Sequence, residues 1–233
     1  MTLPVAILAG GLATRLRPMT EKIPKSLLEV GGEPFIVQQL NYLRRQRVRD
    51  VVLCVGYLGE MIEAAVGNGS RFGLRVSYST DGPVLLGTGG ALRRAMPLLG
   101  DACFVLYGDS YLPVDFGAIE AEFWASDRPA LMTVLYNRDR WDKSNVLFVD
   151  GKLAEYNKTA PRPEFTYIDY GLTIVKREII ERYPADQAFD LATLYRTLSL
   201  EKSLHGYEVF SRFYEIGSPS GLREAQEFFE SEN

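Results

Sequence analysis

Residues able to hold phosphate gather near the start of this chain. The segment Leu8-Ala9-Gly10-Gly11-Leu12-Ala13-Thr14-Arg15-Leu16-Arg17-Pro18 follows an apolar run, Pro4-Val5-Ala6-Ile7-Leu8, and Pro24-Lys25-Ser26-Leu27-Leu28 comes shortly after. Gly10 and Gly11 can take backbone angles that other residues avoid, so their amides can turn toward one anion. Arg15 and Lys25 add fixed positive charge beside those amides. The spacing is not that of a Walker loop, because no Gly-Lys-Ser/Thr closes it. Nor is it the dinucleotide fingerprint, whose third glycine and following acidic residue are misplaced here. A second glycine cluster, Leu86-Gly87-Thr88-Gly89-Gly90-Ala91-Leu92, opens a predicted helix. Small residues there let the backbone approach a flat or charged ligand, and they serve equally as a glycine-rich helix start. Asp109, in Leu106-Tyr107-Gly108-Asp109, lies just beyond a buried strand, where open α/β sheets bind ligands. Its carboxylate is a hard oxygen donor suited to Mg²⁺; read alone, it is also a turn cap.

Gly10, Gly11, Thr14, Arg15, Pro18, Pro24 and Lys25 together resemble the signature of the sugar-1-phosphate nucleotidyltransferases, roughly G-G-x-G-T-R-L-x-P…P-K. Ala13 stands where that family most often has Gly. The resemblance implies nucleotide contacts from Leu8, Ala9, Gly10, Gly11, Thr14 and Arg15, and catalytic roles for Arg15, Lys25 and Asp109. The segment Leu86–Leu92 is similar to the family's G-T-(G/A)-G, which touches nucleobase and ribose, and so implies Gly87, Thr88 and Gly89 as nucleotide-binding. Its local form looks most like the D-glycero-D-manno-heptose 1-phosphate guanylyltransferase branch, with the mannose-1-phosphate enzymes nearby. The thymidylyl and uridylyl branches usually carry a Gln shortly before this point, and Asp81 to Leu86 contains none. Phe213-Tyr214-Glu215-Ile216-Gly217-Ser218-Pro219 resembles W-x-D-x-G-T/S-P, whose Asp is a metal ligand beside that of the Gly-Asp segment. Asp109 and Glu215 are thereby implied as the Mg²⁺ ligands, with Glu215 reaching one methylene further than the usual Asp. Glu155-Tyr156-Asn157-Lys158 resembles the E-K-P region, which implies Lys158 at the sugar phosphate and Glu155 beside it. Tyr170-Gly171 resembles the segment whose glycine lets a sugar approach the backbone. Asn145 and Asp169 could bond sugar hydroxyls or serve as turn residues.

The resemblance implies nucleotidyl transfer from an NTP, GTP in the branch named, to a sugar 1-phosphate, D-glycero-D-manno-heptose 1-phosphate, giving GDP-heptose and pyrophosphate with Mg²⁺ as cofactor. The phosphate nucleophile is already anionic at neutral pH, so no general base is needed, in keeping with the lack of a Ser–His arrangement. His205, the single histidine, is expected in a polar loop without a catalytic role. Two rival readings remain: a mannose-1-phosphate guanylyltransferase or another NTP and sugar pair, and a non-catalytic regulatory protein that binds a sugar nucleotide on the same fold.

These residues need a scaffold. With 233 residues the chain suits one nucleotidyltransferase domain, 1–233, with a nucleotide-binding half over about 1–112 and a sugar-binding half over about 113–233. Apolar runs alternate with amphipathic ones in the first half. Strands are predicted over Val5–Leu8, Val51–Val55, Leu74–Ser79 and Cys103–Tyr107, and helices over Pro34–Gln46, Met61–Val66 and Gly89–Leu99. The second half reads as more antiparallel. Its predicted strands are Ala130–Tyr136, a hairpin of Asn145–Val149 and Lys152–Tyr156 about Asp150-Gly151, Phe165–Val175, and Glu208–Phe210. Its predicted helices are Asp115–Trp124, Arg177–Arg182, Ala188–Leu200 and Ser218–Glu230. The fold class is α/β: a Rossmann-like nucleotide-diphospho-sugar transferase fold with a mixed, mostly parallel sheet, helices on both faces and no C-terminal β-helix. Net charge is −4, and Arg44-Arg45-Gln46-Arg47-Val48-Arg49 reads as a solvated helix end, so no nucleic-acid partner is expected. No apolar run is long enough to span a bilayer and no signal-peptide layout is present, so no membrane partner is expected. Cys54 and Cys103 fall inside predicted buried strands as reduced core residues, which suits a cytoplasmic setting. A homo-oligomer is left open.

Overall fold

The chain's computed structural model describes residues 2–82 and 84–231. In the first half, β1 (Val5–Leu8), β4 (Asp50–Val55), β5 (Arg75–Thr80) and β6 (Ala102–Tyr107) run parallel, separated by α1 (Phe35–Arg45), α2 (Gly59–Val66) and α3 (Gly87–Ala95). Two short strands, β2 (Glu29–Val30) and β3 (Glu33–Pro34), lie between β1 and α1, and β7 (Ser110–Tyr111) follows β6. The second half supplies α4 (Phe116–Ser126), β8 (Ala130–Tyr136), β9 (Val146–Val149), β10 (Lys152–Tyr156), β11 (Tyr167–Lys176), α5 (Arg177–Ile180), α6 (Leu191–Leu200), β12 (Leu204–Val209), β13 (Tyr214–Glu215) and α7 (Pro219–Ser231).

Among the described residues, nine strands form one sheet that runs through both halves in the order β10-β9-β11-β6-β1-β4-β5, with β8 on β11 and β12 on β8. The turn from parallel to antiparallel pairing occurs where β11 lies against β6. Strands β1 and β6 are apolar almost throughout because helices cover both of their faces. On one face Val5 and Ile7 meet Ile36, Leu40 and Leu43 of α1, Ile62 of α2 and Phe116 and Phe123 of α4. On the other, Ala6 and Val105 meet Leu92 of α3, Ile179 of α5 and Leu194 of α6. A third, smaller cluster of Val30, Phe35, Tyr111, Ile216, Ala225 and Phe229 joins the short strands to α7. No helix among the described residues is long and apolar enough to cross a membrane.

Local signals account for most boundaries. Asp115 accepts a hydrogen bond from the Ala118 amide and starts α4, and Asp190 accepts one from Ala192 and starts α6. The second of these caps places the start of α6 three residues later than the apolar pattern suggests. Asp150 and Gly151, at φ 49° and 71°, make the two-residue turn between β9 and β10. The main departure is β12, expected over Glu208–Phe210 and found over Leu204–Val209. His205 therefore lies on a strand rather than in a loop, and its Nε2 is 2.8 Å from Glu122 Oε1 on α4.

Gly206 of β12 has no room for a side chain, since a methyl group there would lie 2.7 Å from Leu153 Cβ and 2.9 Å from Phe148 Cε2. Gly206→Ala should lower folding stability by about 1–3 kcal/mol, the usual cost of overpacking, read as a lower urea midpoint. An unchanged midpoint would show that the hairpin β9–β10 does not press on β12.

Candidate active site

The glycine-rich loop leaves the carboxyl end of β1 between its two neighbours, β4 and β6. The Ala9 amide donates to Cys54 O (2.8 Å) on β4, and the Gly108 amide beyond β6 donates to Leu8 O (3.0 Å). A methyl group on Gly10 would come 3.0 Å from the Gly56 amide nitrogen, and one on Gly108 would come 3.0 Å from Ala9 Cβ. The strand ends can converge this closely only with small residues at these positions. Ala13 sits at φ 47°, in the left-handed region, which is the physical reason a glycine is at home there. The Thr20 hydroxyl, buried in the loop, donates to Ala13 O (2.8 Å) and holds that turn.

The charged residues are gathered by a ribbon that sequence reading did not find. Strand β13 pairs antiparallel with β7, with Glu215 opposite Ser110 and Tyr214 opposite Tyr111, and the Ile216 amide donates to Asp109 O (2.9 Å). Glu215 is thus held beside Asp109. Its carboxylate is aimed by the following turn: Oε2 accepts from the Gly217 amide (3.0 Å) and Oε1 from the Ser218 hydroxyl (3.1 Å). Lys25 forms an ion pair with Asp109. A methyl group on Gly217 would strike Glu215 Oε2 and would lie 3.2 Å from both Arg15 Nη2 and Asp109 Oδ2. One glycine therefore marks the point on which Arg15, Asp109 and Glu215 converge, with Lys25 attached through Asp109. Beneath it, Gln39 of α1 donates to Tyr107 O (2.9 Å) and Ser110 O (2.7 Å), fixing the corner that carries Asp109. Gln39 is a buried polar residue on an otherwise apolar helix face, which is the signal that could have revealed it.

Between this charged end and the mouth of β4 lies a cleft of about 240 Å³, lined in part by Gly10, Gly11, Lys25, Gly87 and Thr88. Gly87 and Thr88 line this cleft. Gly89 does not line it: its amide donates to Phe189 O (2.9 Å), and its α-carbon packs on the Phe189 ring. The Thr88 hydroxyl is engaged as well, accepting from the Leu191 amide (2.9 Å) and lying 3.2 Å from Asp190 Oδ1. Much of the smallness of Gly87–Gly90 therefore serves the close approach of residues 187–190. Two further cleft residues escaped the sequence reading: Ser26, whose buried hydroxyl has no hydrogen-bond partner among the described residues, and Asp81, 7% exposed.

The sugar-binding candidates fall into two groups. Asn145 Oδ1 accepts from the Asp169 amide (2.9 Å), and Asp169 Oδ1 accepts from the Gly171 amide (3.0 Å), so these three form one hydrogen-bonded corner at a register shift in β11. Gly171 is at φ 97° with only Leu112 and Tyr107 near it, each 3.9 Å from an added methyl group. Burial pushes the Asp169 carboxyl up to about 6, against the Gly171 amide and Lys158, which pull it down. Burial likewise raises the neighbouring Tyr107 hydroxyl far above its ordinary value. Glu155 lies apart from this corner in its bonding, paired with Arg162 (2.6 Å). Tyr170 corrects the expectation. Its side chain is 2% exposed, packs edge-on against Phe213, and belongs to the core. Consecutive strand residues point to opposite faces, so Asp169 and Tyr170 do not share one site.

Residues 5–144 match the nucleotidyl transferase family. The chain belongs to that family. The matched stretch holds Arg15, Lys25 and Asp109, and Glu215 lies beyond it. Similar proteins include the N-acetylmuramate alpha-1-phosphate uridylyltransferase of Neisseria meningitidis serogroup B, 29% identical over 94% of this chain and 95% of that protein. The D-glycero-alpha-D-manno-heptose 1-phosphate guanylyltransferase of Aneurinibacillus thermoaerophilus is 28% identical over the same shares of the two chains. Among solved structures, HddC from Yersinia pseudotuberculosis complexed with GMP-PN superimposes with a TM-score of 0.79 at 26% identity, covering 97% of this chain and 99% of that one. The likeness to that structure thus spans nearly the whole chain, including most of the part that lies beyond the family match.

Two outcomes test this geometry. Gly217→Ala should leave the thermal midpoint nearly unchanged, because its backbone is unstrained and its surroundings are side-chain ends. It should cost nucleotidyl-transfer turnover at least about tenfold by displacing Glu215, as a misplaced reacting geometry does. Normal turnover would mean that the three charged groups do not act at this point. Asp169 makes a prediction about pH. Unfolded, an Asp carboxyl titrates near ~3.9, whereas in the fold it keeps its proton to about 6, so the native state binds more protons in between. Its contribution to stability is therefore most favourable below about pH 4 and is lost as pH rises through about 6. Asp169→Asn should raise stability by about 1–3 kcal/mol at pH 8 and by little at pH 4, measured by urea denaturation. A gain independent of pH would contradict the assignment.

Proposed function

We propose that this protein is a sugar-1-phosphate nucleotidyltransferase in which Arg15, Lys25, Asp109 and Glu215 promote in-line transfer from an NTP to a sugar 1-phosphate. The convergence of three of these groups on Gly217, with Lys25 paired to Asp109, carries the reading. An oxygen of the sugar phosphate attacks the α-phosphorus, the bond from that phosphorus to the bridging oxygen of the β-phosphate breaks, and pyrophosphate leaves. The difficulty is electrostatic, since every reactant is an anion. Arg15, on the exposed loop, holds the β- and γ-phosphates and the departing pyrophosphate. Lys25 lies against the α-phosphate and Lys158 against the sugar phosphate. The carboxylates of Asp109 and Glu215, held side by side on the β7–β13 ribbon, fit a hard divalent cation, which two carboxylates and phosphate oxygens ordinarily hold. Mg²⁺ bound there would supply charge neutralisation at the transferring phosphoryl group.

For the substrates, GTP and D-glycero-D-manno-heptose 1-phosphate are the first choice, giving GDP-heptose. Two observations support this: the Leu86–Ala91 segment resembles that branch, and similarity to a heptose-1-phosphate guanylyltransferase runs nearly end to end. A second pairing, UTP with N-acetylmuramate 1-phosphate, is favoured by the equally extensive similarity to the uridylyltransferase. Mannose 1-phosphate is the third acceptor to consider, because two mannose-1-phosphate guanylyltransferases are also similar over nine-tenths of the chain.

The deciding experiment measures pyrophosphate release with Mg²⁺, crossing the NTPs with heptose, mannose, glucose and N-acetylmuramate 1-phosphates. Release that needs both partners and is fastest with GTP and the heptose is the expected result. An optimum elsewhere would replace the substrate pair, and tight NTP binding with no release in any pairing would favour the regulatory reading. In the same assay Arg15→Ala and Lys25→Ala should lower kcat by about 10²-fold or more, as for lost transition-state contacts. Glu215→Asp should keep most Mg²⁺-dependent turnover and Glu215→Ala should lose it; full activity in the alanine variant would refute a metal role.

A further inference from the structure

The end of the molecule away from the cleft carries charge that the mechanism above does not use. Arg44, Arg45, Arg47 and Arg49 close α1 and lead into β4. Arg49 directly precedes the amino end of β4, whereas the cleft opens at the carboxyl end, about 20 Å away along that strand. The helix dipole accounts for the cations of the last turn, Arg44 and Arg45, but not for the two beyond it. Arg47 holds φ 63° in the turn that ends α1, where its amide donates to Arg44 O (2.9 Å) and the Val48 amide to Leu43 O (3.1 Å). Glycine usually makes that turn, because a side chain in the left-handed region is strained. The arginine kept there has no partner in the fold. Among the described residues the side chains of Arg44, Arg47 and Arg49 make no hydrogen bond or ion pair, and Arg45 gives one bond to the Tyr111 hydroxyl (3.2 Å).

Two open depressions, of about 820 Å³ and 750 Å³, adjoin at Arg47 and Gly117. The first is also lined by Arg45 and Phe210, the second by Arg44, Arg49 and Trp124. Arg44 lies over Gly73, where a methyl group would come 2.8 Å from its Nε. The carboxylates that line these depressions are engaged elsewhere: Asp115 by the Ala118 amide (3.0 Å), Glu120 by the Leu3 amide (3.2 Å) and Glu208 by the Tyr167 hydroxyl (3.1 Å). Asp50, next to Arg49, is taken by Arg75 (2.6 Å). The arginine charge is therefore uncompensated, on a chain whose net charge is −4. Large rings stand out beside it, with Phe210 86% and Trp124 53% exposed.

Arginines set among exposed rings suit one kind of partner best. A soluble phosphate uses the arginines and leaves the rings in water. An anionic bilayer uses both, since basic side chains meet its phosphates while Phe and Trp rings enter the boundary between headgroups and acyl chains. We infer that this surface docks the protein on an anionic phospholipid bilayer, leaving the cleft at the other end of β4 open to water. The expectation of no membrane partner rested on spanning and signal segments, which a peripheral contact does not need. The docking holds for whichever substrates the cleft takes.

Sedimentation of the full-length protein with vesicles of phosphatidylglycerol and phosphatidylcholine, against vesicles of phosphatidylcholine alone, provides the test. Wild type should bind the anionic vesicles at least about tenfold more strongly and lose most of that preference in about 1 M salt. Arg47→Gly should weaken binding about fivefold, the usual worth of one basic side chain at an anionic surface, while raising the urea midpoint because glycine relieves the turn. Arg44→Gln, Arg47→Gly and Arg49→Gln together should weaken it about a hundredfold, with pyrophosphate release in solution unchanged. Trp124 emission, read against Trp124→Phe, should shift to the blue on the anionic vesicles; bound protein without that shift would contradict docking through the rings. Equal binding to the two kinds of vesicle, or a triple variant that binds as wild type does, overturns the assignment. Binding of pyrophosphate to the arginines with no binding to vesicles also overturns it and gives the surface to a soluble phosphate. If the triple variant fails to fold, Arg47→Gly decides.

Discussion

On the proposed reading, two carboxylates far apart along the chain must sit together at the place where several phosphate charges also have to gather. Asp109 and Glu215 repel one another, and each repels the substrates, so their juxtaposition depends on forces outside the site. The β7–β13 ribbon provides the connection, through Glu215 opposite Ser110 and the Ile216 amide on Asp109 O. The small apolar cluster of Val30, Phe35, Tyr111, Ile216, Ala225 and Phe229 anchors the ribbon from beneath. Lys25 offsets part of the negative charge directly. Burial of a cluster of that kind is worth on the order of 1.5–3 kcal/mol per large side chain, enough to hold two like charges that water still partly screens.

Close approach is the second constraint, and it explains the small residues better than ligand contact alone does. Gly10 lies against Gly56, and Gly108 against Ala9, because three parallel strand ends converge there. Gly87, Gly89 and Gly90 make room for residues 187–189, which arrive from the other half of the chain. The same segment is laced to the start of α6 by the Thr88 hydroxyl and the Asp190 carboxylate. The glycine-rich wall of the cleft is therefore held in place by both halves, and its shape depends on how they interlock.

Much of this was legible in the sequence because the parallel strands are buried on both faces. Val5–Leu8 and Cys103–Tyr107 read as continuous apolar runs, and they carry Gly10, Arg15 and Asp109 at their ends. The hairpin at Asp150-Gly151 was equally plain, since its turn needs the left-handed backbone that this pair favours. What escaped notice lacked periodicity. The two-residue strands β7 and β13 are too short to alternate, yet they decide where Glu215 lies. Strand β12 begins with Leu204, His205 and Gly206, which read as a polar loop until the hairpin packs over the glycine. Tyr170 was placed at the sugar by its neighbour Gly171, whereas the strand turns its ring into the core. Asp81 and Ser26 gave no signal, because a single polar residue beside an apolar run says nothing of which cavity it enters.

On the proposed reading, the cluster at Gly217 directs attack on the α-phosphorus. The most direct measurement follows phosphorus label from the preferred NTP in the presence of the sugar 1-phosphate and Mg²⁺. Label at the α-position should end in the nucleotide sugar and label at the γ-position in pyrophosphate. Transfer of γ-label to the sugar phosphate, or release of γ-label as inorganic phosphate, would place the reaction at another phosphorus and contradict that reading.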